Sequence, residues 1–224
     1  MTCLCFPSRA QDNSHFEFWN SYSVRHLAFK HLFWIRNDIG IRASFDEDPS
    51  TMFLLRPRLE IGLGDIVEFH PAVDFRYSYY PNSLNTFEIR TWQGVRVAWP
   101  DIGRVMFDHF YRFEQRFHWI EGFERDKISL RSRYRIEMRV PVNHVTLMDN
   151  TFFIDLRCEA FIPHDNEIEE AYASTIRLGL NLGYRQNQKW RYQLTGYVDG
   201  GKNTIGEDRS ASRYILEASL RTTF

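Results

Sequence analysis

A two-residue rhythm runs through almost the whole chain, and it narrows the folds open to it more than any other feature. It is clearest from Ile128 to Val140. There Ile128, Leu130, Tyr134, Ile136, Met138 and Val140 share one face, and Arg131, Arg133, Arg135, Glu137 and Arg139 share the other. Successive strand side chains point to opposite faces, so this period makes one face apolar and the other charged. Comparable alternation covers His15–Val24, Leu32–Phe45, Met52–Leu63, Val67–Tyr79, Thr86–Trp99 and Val105–Trp119. It resumes over Asn150–Ile162, Tyr172–Arg185, Trp190–Val198 and Arg213–Phe224. Helical periodicity is nowhere sustained, and no apolar run reaches the ~18 residues of a spanning helix. The expectation is an all-β chain folded as one domain.

The two faces then have to be assigned an inside and an outside. Charge crowds the polar face at Arg56, Arg58, Glu60, Arg90, Arg112, Glu114, Arg116, Arg157 and Glu159, as well as the run from Arg131 to Arg139. The apolar sets are almost free of charge in mid-strand. A closed barrel of ten or so strands is too wide for one wall of aliphatic side chains to fill. Turned inside out, the apolar face meets lipid and Arg and Glu line the lumen. Aromatics make up 16% of the chain, which suits an apolar outer wall with interfacial girdles. The expected fold is therefore a single antiparallel up-and-down transmembrane β-barrel. Such barrels have even strand numbers. The segments above give roughly eleven, so about twelve strands is the preferred count and about ten the other, the latter if His15–Val24 is not part of the wall.

Connections support that orientation. Leu63–Asp65, Pro100–Gly103 and Gln186–Lys189 are short, whereas Asp46–Ser50, Tyr80–Asn85, Pro163–Glu170 and Gly200–Ser210 are longer. Short turns at one end and long loops at the other are a habit of membrane barrels. One element resists its strand: Pro57 falls inside Met52–Leu63 and brings no ladder donor.

The last segment places Tyr214, Leu216, Leu220 and Phe224 on one face and closes on an aromatic. This resembles the C-terminal strand that the bacterial barrel-assembly machinery reads, and makes that machinery and outer-membrane lipid the expected partners. At the other end, Ser8 and Ala10 are small residues in signal-peptidase spacing. Residues 1–10 are read as the remnant of an export signal and 11–224 as the barrel domain. The expected location is the bacterial outer membrane, reached through the periplasm. The charge balance, 28 basic against 29 acidic residues, gives no reason to expect nucleic acid as a partner.

Several elements occur in order: Arg90-Thr91-Trp92, Phe113-Glu114-Gln115-Arg116-Phe117, Leu130-Arg131-Ser132-Arg133-Tyr134-Arg135, Leu178-Gly179-Leu180-Asn181-Leu182-Gly183-Tyr184 and Gly196-Tyr197. Together they resemble the bacterial "domain of unknown function 2490" family, regarded as outer-membrane β-barrels. The likeness covers most of the chain after Gln11. Members often carry a His before the Arg of the first element, where this chain has Ile89. The resemblance implies place and fold and carries no activity.

The candidate site is a lumen charge network of Arg112, Glu114, Arg116, Arg131, Arg133, Arg135, Glu137, Arg157 and Glu159. It serves either as structural ion pairs that hold register and plug the bore, or as a narrow anion-favouring passage, since rings of Arg select anions. An outer-membrane lipid-modifying enzyme and a soluble β-barrel binding module are the alternatives. For an enzyme, His109 beside Asp108 on the outer face and His118 on the inner face are the available bases. Neither G-x-S-x-G nor H-E-x-x-H occurs, so His109 reads as a girdle residue. No cofactor or metal is expected. Cys3-x-Cys5 is a weak metal signal, and the acidic stretch Asp165, Glu167, Glu169 and Glu170 lacks EF-hand spacing. No ligand is named by any motif.

Overall fold

Eleven β-strands close into one barrel among the described residues of a computed structural model. Those residues are 15–28, 33–45, 49–121, 127–164, 174–202 and 210–224. Residues 1–10, read from the sequence as an export-signal remnant and carrying Cys3 and Cys5, and the acidic stretch 165–170 lie outside them. The strands are β1 (His15–Ala28), β2 (Phe33–Ser44), β3 (Ser50–Gly62), β4 (Val67–Tyr79), β5 (Thr86–Ala98) and β6 (Met106–Ile120). They continue as β7 (Lys127–Pro141), β8 (Thr151–Pro163), β9 (Ser174–Arg185), β10 (Trp190–Lys202) and β11 (Ser210–Thr223). Each pairs antiparallel with its chain neighbour, and β1 closes the wall against β11.

The strand count corrects the expectation of an even number. The first segment is a wall strand, hydrogen-bonded on both sides, antiparallel to β2 and parallel to β11. With an odd count the first and last strands run the same way, so the closing pair has to be parallel. His15 faces Arg213 and Arg25 faces Thr223 across it. A parallel ladder is only slightly less stable per residue than an antiparallel one. One such seam therefore costs less than an unpaired edge would. Pro57 stays in the wall at a weak point, and the β3–β4 register skips Arg56 and Pro57 between Leu55 and Arg58.

The faces are distributed as the alternation requires. Ile39, Leu55, Ile136, Leu156 and Leu180 are exposed on the outside, while Asp74, Glu114, Asp155 and Asp199 are buried inside. The three connections expected to be short all lie at the end of the barrel that holds the C-terminus, and the four expected to be longer at the other. Two segments at the short-turn end depart from this sorting: 99–105, which is longer than 45–49 and 80–85 at the opposite end, and 142–150, which is longer still. Asn143 ties the second of these down by donating to the Asn150 carbonyl and accepting from Phe152 N–H. The final residue is held as well, since Phe224 N–H donates to the Arg25 carbonyl at 2.8 Å.

The interior is not purely ionic. Trp19, Trp92, Phe110, Phe153, Phe161 and Tyr197 point inward and are buried. Glycines on neighbouring strands make room for three of them. Phe153 lies across Gly183, its direct cross-strand partner, Tyr197 across Gly179, and Phe110 across Gly94. A Cβ at Gly183 would collide with the Phe153 ring, which has no space to retreat into. Gly183→Ala is expected to destabilise the barrel by about 1–3 kcal/mol, as overpacking does. Urea unfolding in detergent micelles measures this, with Gly196→Ala, where a Cβ meets nothing within 4 Å, as the neutral comparison.

Candidate functional site: an arginine-lined bore

Antiparallel register stacks inward charges from adjacent strands at the same height, so carboxylates and guanidiniums meet across the seams. Glu114 on β6 is the most heavily used. Its carboxylate accepts from Arg90 at 3.2 Å, Arg131 at 2.7 Å, Arg133 at 3.2 Å, and from Arg112. Glu88 receives Arg90 at 2.7 Å and Arg116 at 2.8 Å. Asp74 receives Arg56 at 2.7 Å, Arg76 at 3.0 Å and the Trp92 indole N–H at 2.8 Å.

A second cluster sits on β7 and β8. Glu137 accepts from Arg157 at 2.6 Å and Arg139 at 2.8 Å, and Arg139 also donates to Asp155 at 2.6 Å. Arg133 joins the two clusters by reaching Glu159 at 2.7 Å as well as Glu114. All nine residues expected from the sequence therefore point inward. Arg116 takes Glu88 as its partner rather than Glu114. Arg135 stands 4.0 Å from Glu137 and lies over the Phe110 ring.

The alternation alone did not single out the partners that complete these clusters: Asp74, Glu88, Asp155, Asn181 and Asp199. Each occupies the polar set of its strand, and the strand-to-strand register is what assigns it to a cluster. Asp199 holds Arg177 at 2.6 Å and Arg213.

Past these clusters lies a cavity of about 740 Å³ that runs along the bore. Among the described residues nineteen arginines and no lysine line it, against nine carboxylates. Four more carboxylates, Asp74, Glu88, Glu114 and Asp155, are buried behind the arginines. The inward arginines outnumber all of these acids by six, in a chain whose formal net charge is −1. Guanidinium suits such a place. It is more weakly hydrated than ammonium, stacks on rings, and always carries its charge. Arg112 lies 4.5 Å from the Trp92 ring centroid, and Arg133 4.4 Å from that of Phe161.

The pairing is uneven around the wall. Glu114, Glu88, Asp74, Asp155 and Glu137 stand on β4 to β8. On the opposite side, three lining arginines, Arg42 of β2, Arg191 of β10 and Arg221 of β11, have no carboxylate within 4.0 Å among the described residues. Arg42 rests on the Trp19 ring at 3.8 Å.

The groups considered for hydrolysis do not assemble. Asp108 points inward to Arg96 at 3.2 Å, whereas His109 points outward to the Tyr134 hydroxyl at 2.6 Å, so the two lie on opposite faces. His109 stacks near Trp99 and Tyr134, as a girdle residue would. His118 is 3.6 Å from Glu88 in the bore. A Ser–His pair that the sequence reading missed does form on the outer face, with Ser132 Oγ 2.7 Å from His164 Nε2. Ser132 is only 3% exposed and its hydroxyl also meets Tyr111 at 2.8 Å. Among the described residues no carboxylate orients His164. The pair fastens the segment after β8 to the wall and lacks the third member that nucleophilic catalysis uses. No group of three or more His, Cys, Asp or Glu among the described residues could hold a metal ion.

Residues 16–210 match the model of a family described as "Protein of unknown function (DUF2490)". No curated protein and no solved structure matches the chain.

Proposed function

The chain belongs to the DUF2490 family, and from that premise and the polarity of its barrel we propose that it is a bacterial outer-membrane protein whose bore favours anions. The observation that carries this reading is the surplus of inward arginine over inward carboxylate, enclosed by an apolar wall. A cleft lined by one sign of charge and walled by low dielectric concentrates the opposite ion. Unpaired cations stand at two depths along the bore, Arg42 towards the N-terminal end of β1 and the Arg191–Arg221 pair towards the C-terminus. Together they offer an anion successive places to rest, as conduction requires. The outward Tyr214 and Leu216 on β11, with the exposed Phe224 just after it, serve, in this reading, as the assembly signal, and the C-terminal end faces the periplasm.

The expected result in planar bilayers under a salt gradient is a small conductance whose reversal potential has the anion sign. Arg42→Gln moves it towards zero. A bilayer that stays silent at every voltage removes the passage. Density-separated membranes, with a heat-dependent gel shift, test the location independently. The clustering of four guanidiniums on Glu114 favours a second reading, in which the β4–β8 half of the interior acts only to brace the wall.

A further inference from the structure

We propose that the β10–β11 side of the bore holds a binding site for a phosphate-class dianion, built on Arg191, Arg221 and Gln193. The site deepens the anion reading and rests on it for access from solution.

Arg191 and Arg221 face each other directly across the β10–β11 ladder, and both side chains point inward. Like charges directly opposite on a sheet repel, so the arrangement brings the fold no benefit of its own. Among the described residues neither guanidinium has a carboxylate within 4.0 Å; Arg191 stands over the Phe153 ring at 5.6 Å. The charges around them do not relieve this. Arg139 and Arg185 bear on Arg191, and Arg139 and Arg157 on Arg221. The nearby acids Asp155, Glu137 and Asp38 are already engaged by Arg139, Arg157 and Arg58.

The next inward pair along the same two strands is Gln193 opposite Ser219. Gln193 is 5% exposed, lines the cavity, and neither its Oε1 nor its Nε2 has a hydrogen-bond partner among the described residues. Buried amides are almost always satisfied. The Gln193 Nε2–H and the two unpaired guanidiniums are together a set of donors lacking an acceptor.

The donor geometry selects the ligand class. Two planar forks and one amide N–H match an oxyanion with several acceptor oxygens, and guanidinium binds phosphate in a bidentate manner. Two uncompensated positive charges favour a dianion over a monocarboxylate. Arg191 and Arg221 also line a second, smaller cavity of about 80 Å³ beside residues 187–190. They therefore stand at the boundary between the main bore and the short-turn end, where an anion in transit has to pass.

Purified full-length barrel in detergent micelles would be titrated with inorganic phosphate by calorimetry, with ionic strength held constant by chloride. A saturable one-site isotherm is expected. Arg191→Gln and Arg221→Gln should each weaken it by about tenfold or more, as loss of a charged hydrogen-bonding partner does. Arg104→Gln, in an exposed turn, should leave it unchanged. A second readout separates binding from folding. Without phosphate, Arg221→Gln should unfold at the same temperature as the parent protein or a higher one, because a repulsion has been removed. Phosphate should raise the parent's unfolding temperature and not the variant's. Repeating the titration with a soluble phosphate monoester and with acetate distinguishes free phosphate from esters and from carboxylates. Saturation by acetate equal to that by phosphate would overturn the dianion assignment, and an isotherm that never saturates would overturn the site. A barrel that conducts anions without binding phosphate removes this site alone, and one that binds phosphate without conducting removes the passage alone.

Discussion

Glu114→Gln is expected to cost the folded barrel about 3–5 kcal/mol, the range found when one partner of a buried ion pair is removed. Glu114 is 0% exposed and is the common acceptor for Arg90, Arg112, Arg131 and Arg133. Neutralising it removes the anion four guanidiniums share: Arg90 and Arg133 keep Glu88 and Glu159, whereas Arg112 and Arg131 are left with no carboxylate partner among the described residues. The Gln amide can accept some of their hydrogen bonds but offers no compensating charge, so the loss is mainly electrostatic. Adding Arg131→Gln to Glu114→Gln should recover part of the loss, since it removes one of the stranded cations; coupling of about 0.5–3 kcal/mol is usual for residues in one network. Unfolding in urea, followed by tryptophan fluorescence in micelles, measures both. A change below about 1 kcal/mol, the value of a solvent-exposed pair, would mean that the cluster is wet and that Glu114 does not organise it.

Why the wall was legible in the sequence and the bore only partly so follows from what period two encodes. Alternation reports which face a side chain takes, and it placed Ile136, Leu180, Glu114 and Arg133 on the correct faces. It does not report which strand closes the sheet. His15–Val24 was in doubt because its direction conflicts with an even barrel; the parallel β1–β11 seam removes that conflict. Nor does alternation explain an aromatic in a polar set. Phe153, Phe161, Phe110 and Trp92 stand among arginines on the inner face, where hydropathy alone offers them nothing. Their place becomes intelligible only when the register sets Phe153 against Gly183 and lays guanidiniums over the rings. The unpaired Arg191 and Arg221 were hidden for the same reason. A net charge of −1 averages an acidic set of connections with a cationic interior, and only the topology separates the two.

Leu180→Arg is the second large effect, at about 2–4 kcal/mol for the barrel folded in lipid vesicles. Leu180 lies in the middle of β9, points outward and is 50% exposed. If that wall faces hydrocarbon, the guanidinium either enters it or distorts the bilayer to reach water. The penalty for arginine on a lipid face depends on depth and falls to about 0–1 kcal/mol near the interfaces. Ile176→Arg, also outward but close to the start of the same strand, should therefore cost much less than Leu180→Arg. This gradient is what separates the two environments. On a water-facing wall both positions are ordinary surface sites, where substitutions stay within about 0.5 kcal/mol of neutral whatever their height. Both variants keep every inward contact, so a difference between them reports the medium outside the wall and not the state of the bore. Equal and small effects at the two heights would place water against β9 and remove the membrane from the account, while leaving the cationic interior and its phosphate test intact.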